Sequence, residues 1–461
     1  MTRQFALFIH IAFILWLFFK DRKLRPMTSV ALWIPLLWIM IIGTRAVSIW
    51  FAVEPPQGEV SDSILAGGSP FDRNISLLLI ISGIIILLKR RIQWSVFIKS
   101  NLLALAFFVF CGISCFWSDY TTIAFKRYTK DIGNVIIALI IITETNPIQA
   151  IRAVFARYTY FAVVLSVLFV KYIPELGRYY NRWTYQVMYC GVATEKNTLG
   201  EILFLCGIFL IWDITVIFTR NDKSANKIDI ITRGVLLAMT LWLLLFVVHS
   251  STSTICFFLG TSIIILMQRT VVKRQIRNLG TWSFILLFLI LFVYAVPGIQ
   301  EFFAGILGRD TTLTGRTDIW TILLNQPINP LIGMGFQSFW LSRYAAKAGE
   351  AYYFVLNQAH NGYLETYLHT GLIGLILLIA WIIAAVGKLR KKLFLGDSYA
   401  ILLFSFIVSI LVNNWTESSF NKQIVIWLAL IIALLYYPKI SEIAHDNEAG
   451  ENVLPESYTP K

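Results

Sequence analysis

Charge is what this chain has least of. Of its 461 residues only 14% are Asp, Glu, Lys or Arg, whereas 57% are hydrophobic and 15% aromatic. A soluble domain carries about a quarter charged residues, so a water-soluble globular enzyme is excluded as the frame for the chain. The signatures of several chemistries are missing as well. There is no Walker-type phosphate loop, HExxH, GxSxG, dinucleotide fingerprint or Asp-x-Asp pair. These absences disfavour an ATP motor, a zinc protease and an enzyme that holds a nucleotide sugar through a carboxylate-bound metal. Any phosphate chemistry must then rely on protein cations, with no metal and no cofactor. The five cysteines are scattered without metal-ligand spacing, and Cys111 and Cys115 share a helix face as small packing residues.

What is present is a series of solid apolar runs, centred near residues 12, 35, 81, 105, 137, 165, 208, 241, 261, 289, 375, 405 and 430. Crossing the bilayer core takes about 20 apolar residues. The expected fold is therefore an all-α, polytopic integral membrane bundle of about 12–13 transmembrane helices. A β-barrel would show short alternating segments instead. Residues 5–19 lack a small-residue cleavage site and read as a retained span.

The net charge of +13 falls in short clusters between runs, which marks topology and excludes a nucleic-acid-binding face. Lys20, Arg22, Lys23 and Arg25; Lys89, Arg90 and Arg91; Arg220, Lys223, Lys227 and Arg233; Arg269, Lys273, Arg274 and Arg277; and Lys388, Arg390, Lys391 and Lys392 mark cytoplasmic loops. The N-terminus then lies outside and the C-terminus inside. Segments 45–73, 118–130, 171–196 and 298–362 face outward. The organisation expected is a bundle over 1–297, an outward catalytic loop over 298–362, further spans over 363–437, and a polar, disordered cytoplasmic tail over 438–461.

Several outward cations run against the positive-inside tendency: Lys126, Arg127, Lys130, Lys171, Arg178, Arg182 and Lys196. Cations beside a membrane pocket are what an anionic lipid head group needs. In the long loop, Thr314 or Gly315 caps a short helix with Asp318 in its first turn and an apolar stripe of Ile319, Trp320, Leu323 and Leu324, ended by Pro327 and Pro330. A second amphipathic segment, 336–347, carries Phe336, Phe339, Trp340 and Tyr344 on one side, so the loop reads as a folded lid. Arg316, in the first turn of the lid helix, suits a phosphate oxygen pair. An arginine that ties the loop to ordinary lipid phosphates fits the spacing equally well.

His360 and Asn361 stand where the loop becomes a span, with Asn361 as helix cap and Glu365 one turn beyond. A histidine there is a base near neutral pH, and a capping Asn beside an interfacial His is the plainer alternative. His369 turns to the opposite face, which excludes a two-histidine metal pair. ATEKNTLGEI (193–202) repeats the arrangement, with Glu195, Lys196 and Asn197 at an outward helix end and Glu201 within the first turns. Lys196 holds phosphate or merely snorkels.

Taken in order, WSDYTT (117–122), TEKNTLG (194–200), TLTGRTDIW, NPLIGMGF (329–336) and HNGYLETYLHTGLIGL resemble the bacterial O-antigen ligase and polymerase superfamily, within it the exopolysaccharide polymerase subgroup. The opening segment FKDRKLRPMTSVALWIPLLWIMIIGTRAVSIW is similar to that subgroup's N-terminus. The resemblance implies a metal-independent glycosyltransferase of the bacterial inner membrane. It would join oligosaccharide repeats carried on undecaprenyl diphosphate at the periplasmic face, with inversion at the anomeric carbon. Chain-length regulator and export proteins are further partners of such a system.

Arg316 matches the family's loop arginine and His360 its essential histidine. Arg316, Lys196, Arg127 and Arg182 would bind the diphosphate. His360 would act on the acceptor hydroxyl, with Glu365, Asn361, Asn197 and Glu195 positioning it. Two departures stand out: Glu195 where many ligases have His, and HSSTST (249–254) where many have Ser-Arg. The missing arginine favours polymerisation over transfer to lipid A. The alternatives are a ligase that moves a finished glycan to a lipid or protein, and a lipid-linked glycan transporter. Paired repeats with broken spans would mark the transporter, and the sequence shows neither.

This topology has a direct test. Reporter fusions after Gly349 should behave as periplasmic and fusions after Lys392 as cytoplasmic; the reverse pattern removes every role assigned to the long loop.

Overall fold

The computed structural model describes residues 2–24, 29–51, 68–181, 185–219, 227–278, 316–351 and 356–437. Twelve of the thirteen apolar runs fall on helices: α1 (Arg3–Leu24), α2 (Trp33–Ile42), α3 (Pro70–Lys89), α4 (Leu102–Ser114), α5 (Thr121–Ile142), α6 (Pro147–Tyr172), α7 (Lys196–Thr219), α8 (Lys227–Trp242), α9 (Ser251–Leu266), α12 (Gly362–Phe394), α13 (Ser398–Thr416) and α14 (Val425–Leu434). Two short helices, α10 (Arg316–Leu324) and α11 (Arg343–Ala351), lie between α9 and α12. The run near 289 lies outside the described residues, as do the first part of the lid with Thr314 and Gly315, Arg182, and the tail from 438.

The number of full spans is smaller than the count of runs. Among the described residues seven helices are long and apolar enough to cross a membrane, or up to nine if two bent pairs each count as one span. Two apolar runs form helices of 10 residues each, α2 and α14. At 1.5 Å per residue such a helix covers only about 15 Å, half of the hydrocarbon core. They pack inside the bundle instead. Trp427 of α14 donates to Asp131 Oδ1 (2.7 Å), Asn134 donates to the same oxygen (3.2 Å), and Trp38 of α2 donates to Asn134 Oδ1 (2.9 Å). These bonds offset much of the cost of burying polar groups that deep, although Asp131 Oδ2 itself is buried without a hydrogen-bond partner among the described residues. One small sheet departs from the all-α expectation, an antiparallel pair of Arg178–Tyr180 with Val187–Tyr189.

Segments that the charge pattern assigns to the same side meet one another. Lys20 pairs with Asp229 (2.7 Å), Arg157 with Asp21 (2.8 Å), and both Arg152 and Arg233 with Asp213. The 273–277 and 388–392 clusters meet through Arg390 on the Arg277 carbonyl. Each cytoplasm-assigned cluster here touches another of the same assignment. Segments assigned outward also meet one another: Arg45 donates to the Gly191 (3.2 Å) and Ala193 (3.3 Å) carbonyls, and Arg3 reaches Glu175 (3.4 Å).

The lid is held by a break in α12. That 33-residue helix is interrupted at Gly371, with φ 64° and ψ −167°. Residues 330–335 fill the gap with backbone hydrogen bonds: Leu372 N to Pro330 O (2.9 Å), Ile373 N to Leu331 O (3.1 Å), Met334 N to Leu368 O (3.1 Å) and Gly335 N to His369 O (2.9 Å). Helical backbone groups freed by the break thus find partners in protein, as a low-dielectric setting demands. The approach needs glycine on both sides. A Cβ on Gly371 would lie 2.3 Å from the Leu331 carbonyl carbon, and one on Gly333 would lie 2.6 Å from that of His369.

Around this seam the lid has its own small core of Ile319, Leu323, Phe339, Ala345, Ala348, Leu356, Ala359 and Leu368. The expected lid helix is present as α10, ending before Pro327. Leu324 corrects the expected stripe: it is 56% exposed, because the buried side is already filled by Ile319 and Leu323. The 336–347 segment is also not one continuous amphipathic element. Phe336 packs into the bundle core while Phe339 belongs to the lid core, with a turn, the 3₁₀ segment Phe339–Leu341 and α11 in between.

Substituting Gly371 by Ala forces a side chain into an extended positive-φ conformation that is essentially glycine-only, a cost on the order of 1–3 kcal/mol, and also pushes the Leu331 backbone away. The protein should unfold at lower temperature, and limited proteolysis should cut 325–335 faster than in the wild type. Unchanged cleavage would refute the docking role of the break.

Candidate functional site

The end of α13 that the charge pattern assigns outward supplies the residue at which the candidate groups converge. Glu417 follows Thr416 as the helix cap, and its carboxylate is nearly buried. Oε1 accepts from Arg316 Nη2 (3.1 Å) and from Asn197 Nδ2 (2.9 Å), and Oε2 lies 3.5 Å from His360 Nδ1. One carboxylate therefore joins the start of α10, the start of α7 and the threshold of α12. Burial by itself would raise the Glu417 pKa, but the hydrogen bond to His360 and the charge of Arg316 outweigh it and hold the carboxyl below its ordinary value.

Local sequence explains each placement. Asn361 caps α12 by accepting from Tyr363 N and Leu364 N, both at 3.0 Å. Its backbone N–H donates to Ser418 Oγ (2.9 Å) and its side chain to the Trp415 carbonyl (3.3 Å), which ties the threshold of α12 to the loop after α13. His360 precedes this cap in a left-handed conformation, φ 49°. Its side chain keeps 30% exposure, while Arg316 keeps 18%. With Nδ1 turned to Glu417, Nε2 is the ring nitrogen left for an incoming group.

Glu365, one turn into α12, is 2% exposed. It accepts from Trp340 Nε1 (2.7 Å) and Ala359 N (2.9 Å), with Lys422 Nζ at 3.8 Å. These bonds clamp the lid and the 356–359 segment onto α12. Lys422 also donates to Gln358 Oε1 (3.1 Å).

Backbone strain gathers at the same place. Of five non-glycine residues with positive φ among the described residues, Gln337 (48°), His360 (49°) and Asn421 (58°) lie here. Gln337 Nε2 donates to the Asn421 carbonyl and Arg127 Nη1 to the Gln337 carbonyl. Such conformations cost on the order of 1–3 kcal/mol each and persist only where surrounding bonds hold them.

The structure thus brings Arg316, His360, Asn361, Asn197 and Glu365 to one junction. Lys196 is the first residue of α7, beside Asn197, and Glu195 precedes it with its carbonyl accepting from Leu199 N (3.1 Å). Glu201 lies deeper, where Asn413 donates to it (2.9 Å). Arg127 corrects an expectation: segment 118–130 is not an outward loop, because from Thr121 it is the first half of α5. The cation reaches the junction through Gln337 rather than through a free loop. Among the described residues no group of three or more His, Cys, Asp or Glu side chains could hold a metal ion.

Sequence reasoning missed Glu417, Lys422 and Gln337. The signal was present in TESSFNK, an acid and a base in a short segment between two apolar runs, at a position that the charge pattern itself turns outward.

Comparison with known proteins bears on the same region. Residues 234–379 match the family model described as O-antigen ligase, a stretch that holds Arg316, His360 and the α12 break but stops before Glu417. The chain is also 28% identical over 313 residues to the exopolysaccharide production protein ExoQ of Rhizobium meliloti (strain 1021). That match covers 64% of this chain and 66% of the relative, just under two thirds of its length.

The depressed Glu417 pKa sets the sign of a pH effect. The stabilisation it provides is full above the ordinary glutamate range and is lost as pH falls through the lower folded-state value. Hydrogen exchange of α10 and of 417–423 should therefore quicken in acid, and Glu417→Gln should show the quickened exchange already at neutral pH. Equal exchange in the variant and the wild type would dismiss the junction as a structural link.

Proposed function

We propose that the chain is a member of the O-antigen ligase and polymerase superfamily, in its exopolysaccharide subgroup, a reading that its similarities support, and that it polymerises undecaprenyl-diphosphate-linked oligosaccharide repeats at the periplasmic face of the bacterial inner membrane. The observation that carries the mechanism is the Glu417 junction, which sets a guanidinium and an imidazole on one carboxylate at the outward end of the bundle.

In this reading Arg316 keeps one donor on Glu417 and offers others to the donor diphosphate, since a guanidinium has five N–H groups in a fixed fork. Lys196, at the start of α7, adds a second cation. His360 Nε2 takes the proton of the acceptor hydroxyl while Glu417 holds Nδ1 and stabilises the imidazolium that forms. The hydroxyl oxygen bonds to the anomeric carbon as the bond to the diphosphate oxygen breaks, and undecaprenyl diphosphate leaves with the electron pair. One displacement without a covalent intermediate inverts the anomeric centre. Positive charge fixed in advance at the leaving group takes the place of a metal ion.

A second reading, transfer of a finished glycan to a lipid or protein acceptor, draws on the description of the matching family model. The acceptor distinguishes them. Purified protein given only lipid-linked repeats should lengthen them into polymer, and product formed only after a different acceptor is added would establish the ligase instead.

Turnover should be unaffected by EDTA; a loss restored by magnesium or manganese defeats the metal-free mechanism. Arg316→Lys keeps the charge but loses the fork, and should reduce turnover by roughly 10²-fold or more, as for a lost transition-state donor. His360→Ala should also abolish polymer while donor affinity stays near wild type. If His360→Ala weakens donor binding as severely as Arg316→Ala and turns over normally at saturating donor, the histidine is a phosphate ligand and not the base.

A further inference from the structure

On the outward side, between the end of α4 and the lid, lies a cleft of about 510 Å³ that the junction does not use. Clefts of about 300–1,000 Å³ are the usual size for small-molecule sites. Its walls carry three aromatic rings, Trp117, Tyr120 and Tyr344, and four polar side chains, Asp119, Asn329, Ser342 and Arg343. We infer that this cleft binds sugar rings of the glycan chain, at a subsite separate from the reacting centre, an inference that rests on the polymerase reading.

The walls are built rather than incidental. Trp117 is fixed by donating to the Ile332 carbonyl (3.2 Å), in the segment that fills the α12 break. Ser118 and Ser338 share a hydrogen bond (2.6 Å), and Tyr120 N donates to Ser118 Oγ (2.9 Å), which locks the 117–120 turn to the lid. Arg343 lies 5.1 Å from the centre of the Tyr344 ring, with Nη2 3.2 Å from its hydroxyl. The rings are thus held in place before a ligand arrives, which lowers the cost of binding.

The chemistry selects the ligand. A sugar ring presents an apolar face of C–H groups and an edge of hydroxyls, so it needs a flat amphipathic ring beside donors and acceptors. Tyr and Trp are also common where protein meets a membrane surface, but a phosphate head group would require an excess of positive charge. Here one carboxylate, Asp119, offsets one guanidinium, Arg343. Asn329 contributes neutral amide chemistry, with its Oδ1 already accepting from Leu331 N (3.0 Å). The placement is suitable as well. Gly333, Met334, Ser342 and Arg343 border the cleft, and from the lid segment that joins them Gln337 bonds to Asn421 and Trp340 to Glu365 at the junction.

The test uses purified full-length protein in nanodiscs and, as probe, lipid-free oligosaccharides of two to four repeats cut from the polymer that the host secretes. Calorimetric titration should show binding to the wild type, weakened roughly tenfold by Tyr120→Ala and by Asp119→Asn. Thermal unfolding of both variants at the wild-type temperature shows that the fold is intact; Arg343→Ala, at an exposed position, serves if either fails to fold.

No binding by the wild type, or binding indifferent to these substitutions, overturns the inference. So does a change confined to retention of phosphatidylglycerol, which would make the cleft a lipid contact. Failure of the polymerase reading appears separately, as wild-type protein that forms no polymer from lipid-linked repeats, and the titration still decides the cleft.

Discussion

The arrangement of this molecule depends on the break in α12 at Gly371 and on the segment of lid backbone that fills it. A helix interrupted near a membrane surface leaves N–H and C=O groups that neither lipid nor side-chain packing can satisfy. Here the main chain of residues 330–335 supplies the missing partners. Because both sides of the seam are main chain at van der Waals limits, the lid has one register against α12. Trp340, Gln337 and the 117–120 turn take their positions from that register.

Anchoring the lid places Arg316 and His360 near one carboxylate, and the consequence is electrostatic. The Glu417 carboxylate offsets the Arg316 guanidinium and, by also meeting the His360 ring, keeps both side chains oriented before any anion arrives. Glu365 has a different task from Glu417 although both are buried. It spends its oxygens on Trp340 and Ala359, which holds the threshold of α12 in the strained turn that His360 occupies. The left-handed residues Gln337, His360 and Asn421 mark where the backbone bends against its preference to make the junction.

The opposite end of the bundle shows a contrasting use of charge. Asp213 receives two arginines and Asp229 pairs with Lys20, so charges there are matched in buried pairs that connect helices. At the end that the charge pattern assigns outward, Arg316 pairs with Glu417 and Lys422 lies beside Glu365, with Glu195 and Glu201 close by, so the charges there bridge three helix ends rather than two helices. In the proposed reaction Arg316 and Lys196 meet the anionic donor group.

Several properties were decided locally and were readable in the amino-acid order. Long apolar runs must become helices in a membrane because only helices satisfy their own backbone there, so the all-α bundle followed from hydropathy alone. The cap at Asn361, the lid helix starting near Arg316 and the candidate status of His360 also rest on near-neighbour rules. What stayed hidden depends on contacts between residues far apart in the chain. Glu417 lies 101 positions from Arg316 and 220 from Asn197, so no periodicity points to it. The helices α2 and α14 read as spans because hydropathy measures apolarity and not reach. NPLIGMG and HTGLIG each look like a turn and a span, and only the folded chain shows that one completes the backbone hydrogen bonding of the other.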